Sequence, residues 1–233
     1  MGKAFKTANR IYDRGLSLFF VLLFLIGAYC LYDTFLVYRG ANDDTLLNYK
    51  PGYDKQIDPV KPIKGNMVGW LTIDDTAIDY PVMQGDDNVE YLNKDPYGAY
   101  SLSGSLFLDC RNDDRFEDDY SLVYGHHMER GMMFGALDKF LDEGYFKGHT
   151  KGTLLFKDQP GKPFRIFAVL ETEATEERVF APTETDGTLD YVLEHAQFLN
   201  PEWVPKEGQK LLAFSTCKYP DTAERTVVFA AFQ

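Results

Sequence analysis

Cys217, His126 and Arg225 are the residue types from which an acyl-transfer site could be built. Cys217 closes the apolar run Leu211-Leu212-Ala213-Phe214-Ser215-Thr216, which reads as a strand, and stands just before Lys218-Tyr219-Pro220-Asp221. A thiol at a strand end beside a loop is exposed enough to meet a substrate. Arg225 comes eight residues later and opens the next β-rich run, Thr226–Phe232. If the intervening loop makes a hairpin, Cys217 and Arg225 face each other across neighbouring strands. His126 and His127 follow a third apolar run, Ser121–Tyr124, which ends at Gly125. Adjacent residues of an extended chain point opposite ways, so at most one of the two histidines can share a site with Cys217.

A free thiol titrates near pH ~8.5, so only a few per cent of it is thiolate at neutral pH unless its surroundings shift it. An imidazolium nearby favours the thiolate and can protonate a departing amine. Arginine stays charged and offers a planar fork of donors to a peptide carbonyl or an oxyanion. On the residues alone two readings stand side by side. One is a cysteine-nucleophile enzyme, of which a papain-like hydrolase is one form, although the order His before Cys and the missing papain signature count against that form. The other is a binding module in which Cys217 is a small buried thiol and Arg225 a surface charge. Cys110 is a further thiol of the same region, and His149 and His195 suit surface roles. No histidine pair has the helical spacing of a metal site, there is no Cys-x-x-Cys, and no cofactor is expected.

The elements that must hold these residues are short and β-rich. Runs at Val68–Ile73, Ile78–Val82, Ser105–Leu108, Ser121–Tyr124, Thr153–Lys157, Phe164–Leu170, Leu211–Thr216 and Thr226–Phe232 alternate with turn residues, most clearly Asp158-Gln159-Pro160-Gly161. Helices are expected at Met133–Leu141 and at Leu189–Leu199, the latter with Thr188 as N-cap. Many short strands with a few inserted helices predict a mainly β protein, a closed barrel with decorations, from about residue 66 to the end. The 233 residues carry 24 basic and 36 acidic side chains, a net charge of −12, which argues against a nucleic-acid partner.

The amino end differs in kind. Leu16 to Tyr32 holds no charge, and the apolar character resumes after Asp33 as far as Val37. As a helix the uncharged run covers roughly 26 Å, and the next turn brings it to the ~30 Å of a bilayer core. Tyr29, Tyr32 and Tyr38 crowd one end, as interfacial aromatics do. Residues 1–15 carry a net charge of +3, whereas residues 39–233 carry 20 basic and 34 acidic side chains. That asymmetry predicts a cytoplasmic tail (1–15), a single membrane-spanning helix (16–38), a proline-broken stalk (39–65) with a short helix near Asp43–Tyr49, and an external domain (66–233). No small-x-small cleavage site ends the apolar run, which favours a retained anchor over a signal peptide.

Several segments together resemble class B sortases. Tyr124-Gly125-His126-His127-Met128, followed by Gly131-Met132-Met133-Phe134-Gly135-Ala136-Leu137, is similar to their histidine segment. Ser215-Thr216-Cys217 resembles the end of their Thr-Leu-x-Thr-Cys signature, and Arg225 their arginine. Val68-Gly69-Trp70-Leu71, the stretch Ile78–Asn88 and Gly104–Asp109 add to the match. Ala213-Phe214 departs from the Thr-Leu of the signature. The resemblance implies a sortase-like barrel and a transpeptidase in which His126, Cys217 and Arg225 are catalytic and Ser215 and Thr216 contact substrate. It implies a thioester on Cys217, surface proteins or pilins with a sorting motif of the Asn-Pro-x-Thr-Asn type or a relative of it as donors, and an amine of cell-wall peptide or of a pilin as acceptor. It also implies a membrane-bound enzyme with its catalytic domain outside the cell.

Overall fold

Beyond residue 66 the apolar runs are rich in β-branched and aromatic residues, which favour a pleated, packed surface. In the computed structural model they are strands. The structure describes residues 2–206, 208–217 and 224–233, and of residues 3–5, 8 and 217 the backbone alone. The described residues form nine strands: β1 (Met67–Ile73), β2 (Asp79–Met83), β3 (Leu106–Leu108), β4 (Tyr120–Gly125), β5 (Lys151–Leu155), β6 (Lys162–Glu173), β7 (Phe198–Leu199), β8 (Leu211–Cys217) and β9 (Glu224–Phe232). Their order is β5-β1-β2-β3-β4-β8-β9-β6-β7, and β5 also pairs with β6. Eight strands therefore close into a barrel without open edges, and the two-residue β7 extends β6. Two pairs are parallel, β2 with β3 and β4 with β8. The others are antiparallel.

The strands near the site are buried on both faces, which is why they read as unbroken apolar runs. β9 is buried from Thr226 to Phe232. On one face Phe214 of β8 packs against Phe164 of β6 and against Phe134 of the 3₁₀ helix Phe134–Leu141. On the other, Leu122, Ala213, Val227 and Phe229 are covered by Val179 of α3 (Glu177–Phe180) and by Tyr191 and Val192 of α4 (Thr188–His195). Burying an aromatic or leucine side chain fully stabilises the fold by about 1.5–3 kcal/mol, so this double cover holds β4, β8 and β9 in fixed register.

The helical expectations need adjustment. The segment after Met133 is a 3₁₀ helix, and α4 ends at His195 rather than Leu199. Gln197 N donates to Val169 O, and Phe198 and Leu199 join the β6 ladder, where their backbone groups find partners that a longer helix would not have supplied. Thr188 is not the N-cap. Gly187, at φ 81°, occupies that place, and the Thr188 hydroxyl is buried inside the first turn without a hydrogen-bond partner among the described residues. A left-handed backbone at the cap favours glycine over threonine.

The chain divides into two units, one ending at Gly40 and one of Ala41–Gln233. The first is a helix, α1, whose full extent is Gly2–Ala41. Its apolar side chains are exposed, Phe24 and Leu31 at 74% each, and an 18-residue window in this region has a mean hydropathy of 2.2. The second unit includes much of the segment that the prolines suggest is a stalk. Leu46 of the 3₁₀ helix Asp44–Tyr49 is buried, Thr45 Oγ1 lies 2.7 Å from Tyr97 Oη, and Lys50 Nζ donates to both Asp79 carboxylate oxygens at 2.7 Å.

Candidate active site

Three strand ends lie side by side at one end of the barrel. In the parallel β4–β8 pair Gly125 stands opposite Thr216, and in the antiparallel β8–β9 pair Thr216 stands opposite Thr226. The next row along the same direction is His126, Cys217 and Arg225, and Cys217 and Arg225 are Cα partners in the ladder. Neighbouring strands lie about 4.8 Å apart, so residues nearly a hundred positions apart in the chain are brought within side-chain reach. The side chain of Cys217 and the loop after it lie outside the described residues. His126, Ser215, Thr216 and Arg225 line one cleft of ≈ 380 Å³, with Tyr124 and Leu92 among its other walls.

The histidine is held in one protonation pattern. His126 Nε2 lies 2.6 Å from Leu92 O. A carbonyl oxygen only accepts, so Nε2 carries a proton and Nδ1 is the nitrogen left to exchange one. Leu92 ends a short 3₁₀ turn, Glu90–Leu92, that is tied to the chain before β3 through Ser105 N→Tyr91 O. Gly104, at φ 58°, permits this close approach. A Cβ there would stand 2.6 Å from both Tyr91 O and Leu92 O and 3.1 Å from the His126 ring.

His127 diverges as the strand geometry requires. Its Nε2 lies 2.8 Å from Asp138 Oδ2, and it is not among the cleft residues. His149 and His195 sit at the ends of α2 (Glu143–Gly148) and α4. Each stacks on the tyrosine four residues earlier and donates from Nδ1 to that residue's carbonyl. Among the described residues no three His, Cys, Asp or Glu side chains converge as a metal site would need.

One wall of the cleft is organised by a carboxylate that sequence reasoning passed over. Asp109 is fully buried at the end of β3. It accepts from Arg111 Nε at 2.8 Å and Nη2 at 2.7 Å, from Tyr124 Oη at 3.0 Å and from Asn88 Nδ2 at 2.9 Å. Burial pushes the Asp109 carboxyl up, but the Arg111 contacts outweigh it and hold the group below its ordinary value. Burial, and then the Asp109 charge, keep the Tyr124 phenol well above its ordinary range. Arg111 Nη2 also donates to Phe180 O at 2.7 Å, so Asn88, Tyr124 and Phe180, all cleft residues, hang on one ion pair. The available signal was an acidic residue closing the all-apolar run Leu106-Phe107-Leu108.

Two hydroxyls complete the wall. Ser215 and Thr216 are each 1% exposed, and Ser215 Oγ is buried without a hydrogen-bond partner among the described residues. Cys110, by contrast, does not line this cleft, and burial followed by the Asp109 charge raises its thiol pKa.

Comparison with known proteins points to one family. A family model described as "Sortase domain" matches residues 71–233. A sortase B of Listeria monocytogenes is 37% identical over 139 residues, which is 58% of this chain and 54% of the relative, so the alignment spans about half of that protein's length. A sortase B of Staphylococcus aureus is 27% identical over 75% of this chain and 73% of its own. Among solved structures, a class B sortase of Streptococcus pyogenes involved in pilus biogenesis superposes with a TM-score of 0.68 at 33% identity, covering 84% of this chain and 100% of that one. A Staphylococcus aureus sortase B–substrate complex gives 0.66 at 25% identity, covering 73% of this chain and 81% of that one.

Proposed function

This chain belongs to the sortase family, on its class B branch, and we propose that it is a membrane-anchored cysteine transpeptidase that joins surface proteins to an amine. The observation that carries the reading is the single row His126, Cys217, Arg225 across three adjoining strand ends, beside a cleft that His126 and Arg225 both line.

The chemistry follows from that row. The Cys217 thiolate attacks the carbonyl of the scissile peptide bond in a sorting motif. The guanidinium of Arg225 holds the oxyanion as the carbonyl π bond opens. The C–N bond then breaks, the departing amine takes the proton from His126 Nδ1, and the acyl group stays on sulfur as a thioester. An incoming amine attacks the thioester and gives its proton back to His126, and the thiolate leaves. Throughout, Leu92 O accepts from Nε2, so one imidazole nitrogen exchanges protons and the other orients the ring. Ser215 and Thr216 contact the substrate backbone or a polar side chain next to the scissile bond.

The donor is a surface protein or pilin with a motif of the Asn-Pro-x-Thr-Asn type or a relative of it. The acceptor is an amine of cell-wall peptide or of a pilin, and the role of the Streptococcus pyogenes relative in pilus biogenesis supports the pilin arm. Residues 1–15 stay in the cytoplasm, residues 16–38 span the membrane and residues 39–65 lead to an external catalytic domain of residues 66–233. Support comes from the +3 amino end and the exposed, apolar α1. Mass spectrometry of the detergent-purified protein, incubated with sorting peptides and candidate amines, tests the activity. A thioester on Cys217 and an amide product are expected, and hydrolysis alone would refute transpeptidation. Protease added to intact protoplasts should remove the domain, whereas full protection would refute the orientation.

A further inference from the structure

The mechanism leaves unused the side chain next to His126. His127 Nε2 lies 2.8 Å from Asp138 Oδ2, and Thr226 Oγ1 donates to Asp138 Oδ1 at 3.1 Å. One carboxylate therefore joins the residue after His126 to the residue after Arg225, with one oxygen for each. Asp138 sits on the 3₁₀ helix Phe134–Leu141, whose Phe134, Ala136, Leu137 and Phe140 are all buried. Phe134 N also donates to His126 O at 3.0 Å, so the helix is a firm base for both contacts.

As a stabilising device the arrangement is weak. The His127 and Asp138 side chains are 27% and 37% exposed, and water screens a polar contact at such exposure. As a positional device it is well placed. β4 does not pair with β9; the whole width of β8 separates His126 from Arg225. The Asp138 carboxylate spans that gap without passing through β8.

We propose that Asp138 is a positioning residue that, through His127 and Thr226, sets the spacing of His126 and Arg225 across β8 so that both reach the same substrate carbonyl. The proposal rests on the transpeptidase reading above.

Three variants of the full-length protein test it. Asp138→Ala removes both contacts and Thr226→Val removes one. Asp138→Asn keeps both, because its Oδ1 accepts from Thr226 while its Nδ2 donates to an unprotonated His127 Nε2. Misplacement by about 1 Å can cost about a hundredfold in rate, so Asp138→Ala should lower kcat for cleavage of an Asn-Pro-x-Thr-Asn peptide by about ten- to a hundredfold. KM and the thermal midpoint should stay close to the parent values, Thr226→Val should follow in the same direction, and Asp138→Asn should retain most of the rate. Turnover of Asp138→Ala at the parent rate, a loss that merely tracks unfolded protein, or an Asn variant as poor as the Ala variant would each overturn the proposal. If the parent transfers no acyl group, the transpeptidase reading fails, and the tether is then read from the His126 imidazole NMR signal. That signal should move in Asp138→Ala and Thr226→Val and hold in Asp138→Asn; a signal unmoved in all three overturns the tether itself.

Discussion

Cys217 and Arg225 are direct partners across the β8–β9 ladder, one closing its strand and the other standing second in the next. Seven consecutive register pairs, from Leu211↔Ala231 to Cys217↔Arg225, fix that pairing. The ladder therefore sets the backbone spacing of the proposed nucleophile and the proposed oxyanion donor.

Substitutions at the row should therefore rank in a definite order. Cys217→Ala should abolish acyl-enzyme formation, since no other thiol lines the cleft among the described residues. His126→Ala should lower turnover by at least about a hundred- to ten-thousandfold, the range for a general acid. Arg225→Lys keeps the charge but loses the fork, and about a hundred- to thousandfold loss is expected. His127→Ala should cost less than His126→Ala, because its ring points to Asp138 rather than into the cleft. Transpeptidation rates of the four variants measure this, and equal damage at both histidines would mean that the wrong one has been assigned.

Gly104 is the point where a single methyl group should disturb the histidine. A left-handed backbone costs a non-glycine residue about 1–2 kcal/mol, and the new Cβ would also crowd Tyr91 O and Leu92 O. Gly104→Ala should lower the urea midpoint and reduce kcat, since Leu92 O is the partner of His126 Nε2. Unchanged turnover in a destabilised variant would show that the Leu92 contact does not orient the ring.

Asp109 should govern part of the acid stability. Its folded-state pKa lies below the ordinary value of 3.8, so its contribution is fully present above the unfolded-state value and is lost as pH falls through the folded one. Asp109→Asn should lower stability at neutral pH by about 1–3 kcal/mol, the cost of unsatisfied buried partners. It should also flatten the fall in stability below pH ~4. Urea midpoints of parent and variant between neutral and acid pH are the measurement; parallel curves would mean that Asp109 is not the titrating group.

The thiols should differ in reactivity. Cys110 has a raised pKa, so a neutral-pH alkylating probe should label it more slowly than Cys217. Cys110→Ser should leave turnover within a few-fold of the parent, since Cys110 meets Asn88 through its backbone N–H, which serine retains. A loss as complete as that of Cys217→Ala would mean that the nucleophile has been assigned incompletely.

The local patterns were legible in the residues themselves. Apolar, β-branched runs bounded by turn residues marked the strands because both of their faces are buried here, and the long uncharged run near the amino end marked α1. The thiol, imidazole and guanidinium were visible as chemistry because each sits next to the end of such a run. Which strands are neighbours was not legible: the parallel pairing of β4 with β8 joins segments some ninety residues apart, and no local rule encodes it. That pairing alone decides that His126 shares a row with Cys217. The end of α4 at His195 was likewise set from outside, by the β6 ladder that takes Phe198 and Leu199. Asp109 and Asp138 look like ordinary charges in the sequence. Only the tertiary structure gives them these partners, because Asn88, the Tyr124–His127 segment and Thr226 come to them from three separate stretches of chain once the barrel has closed.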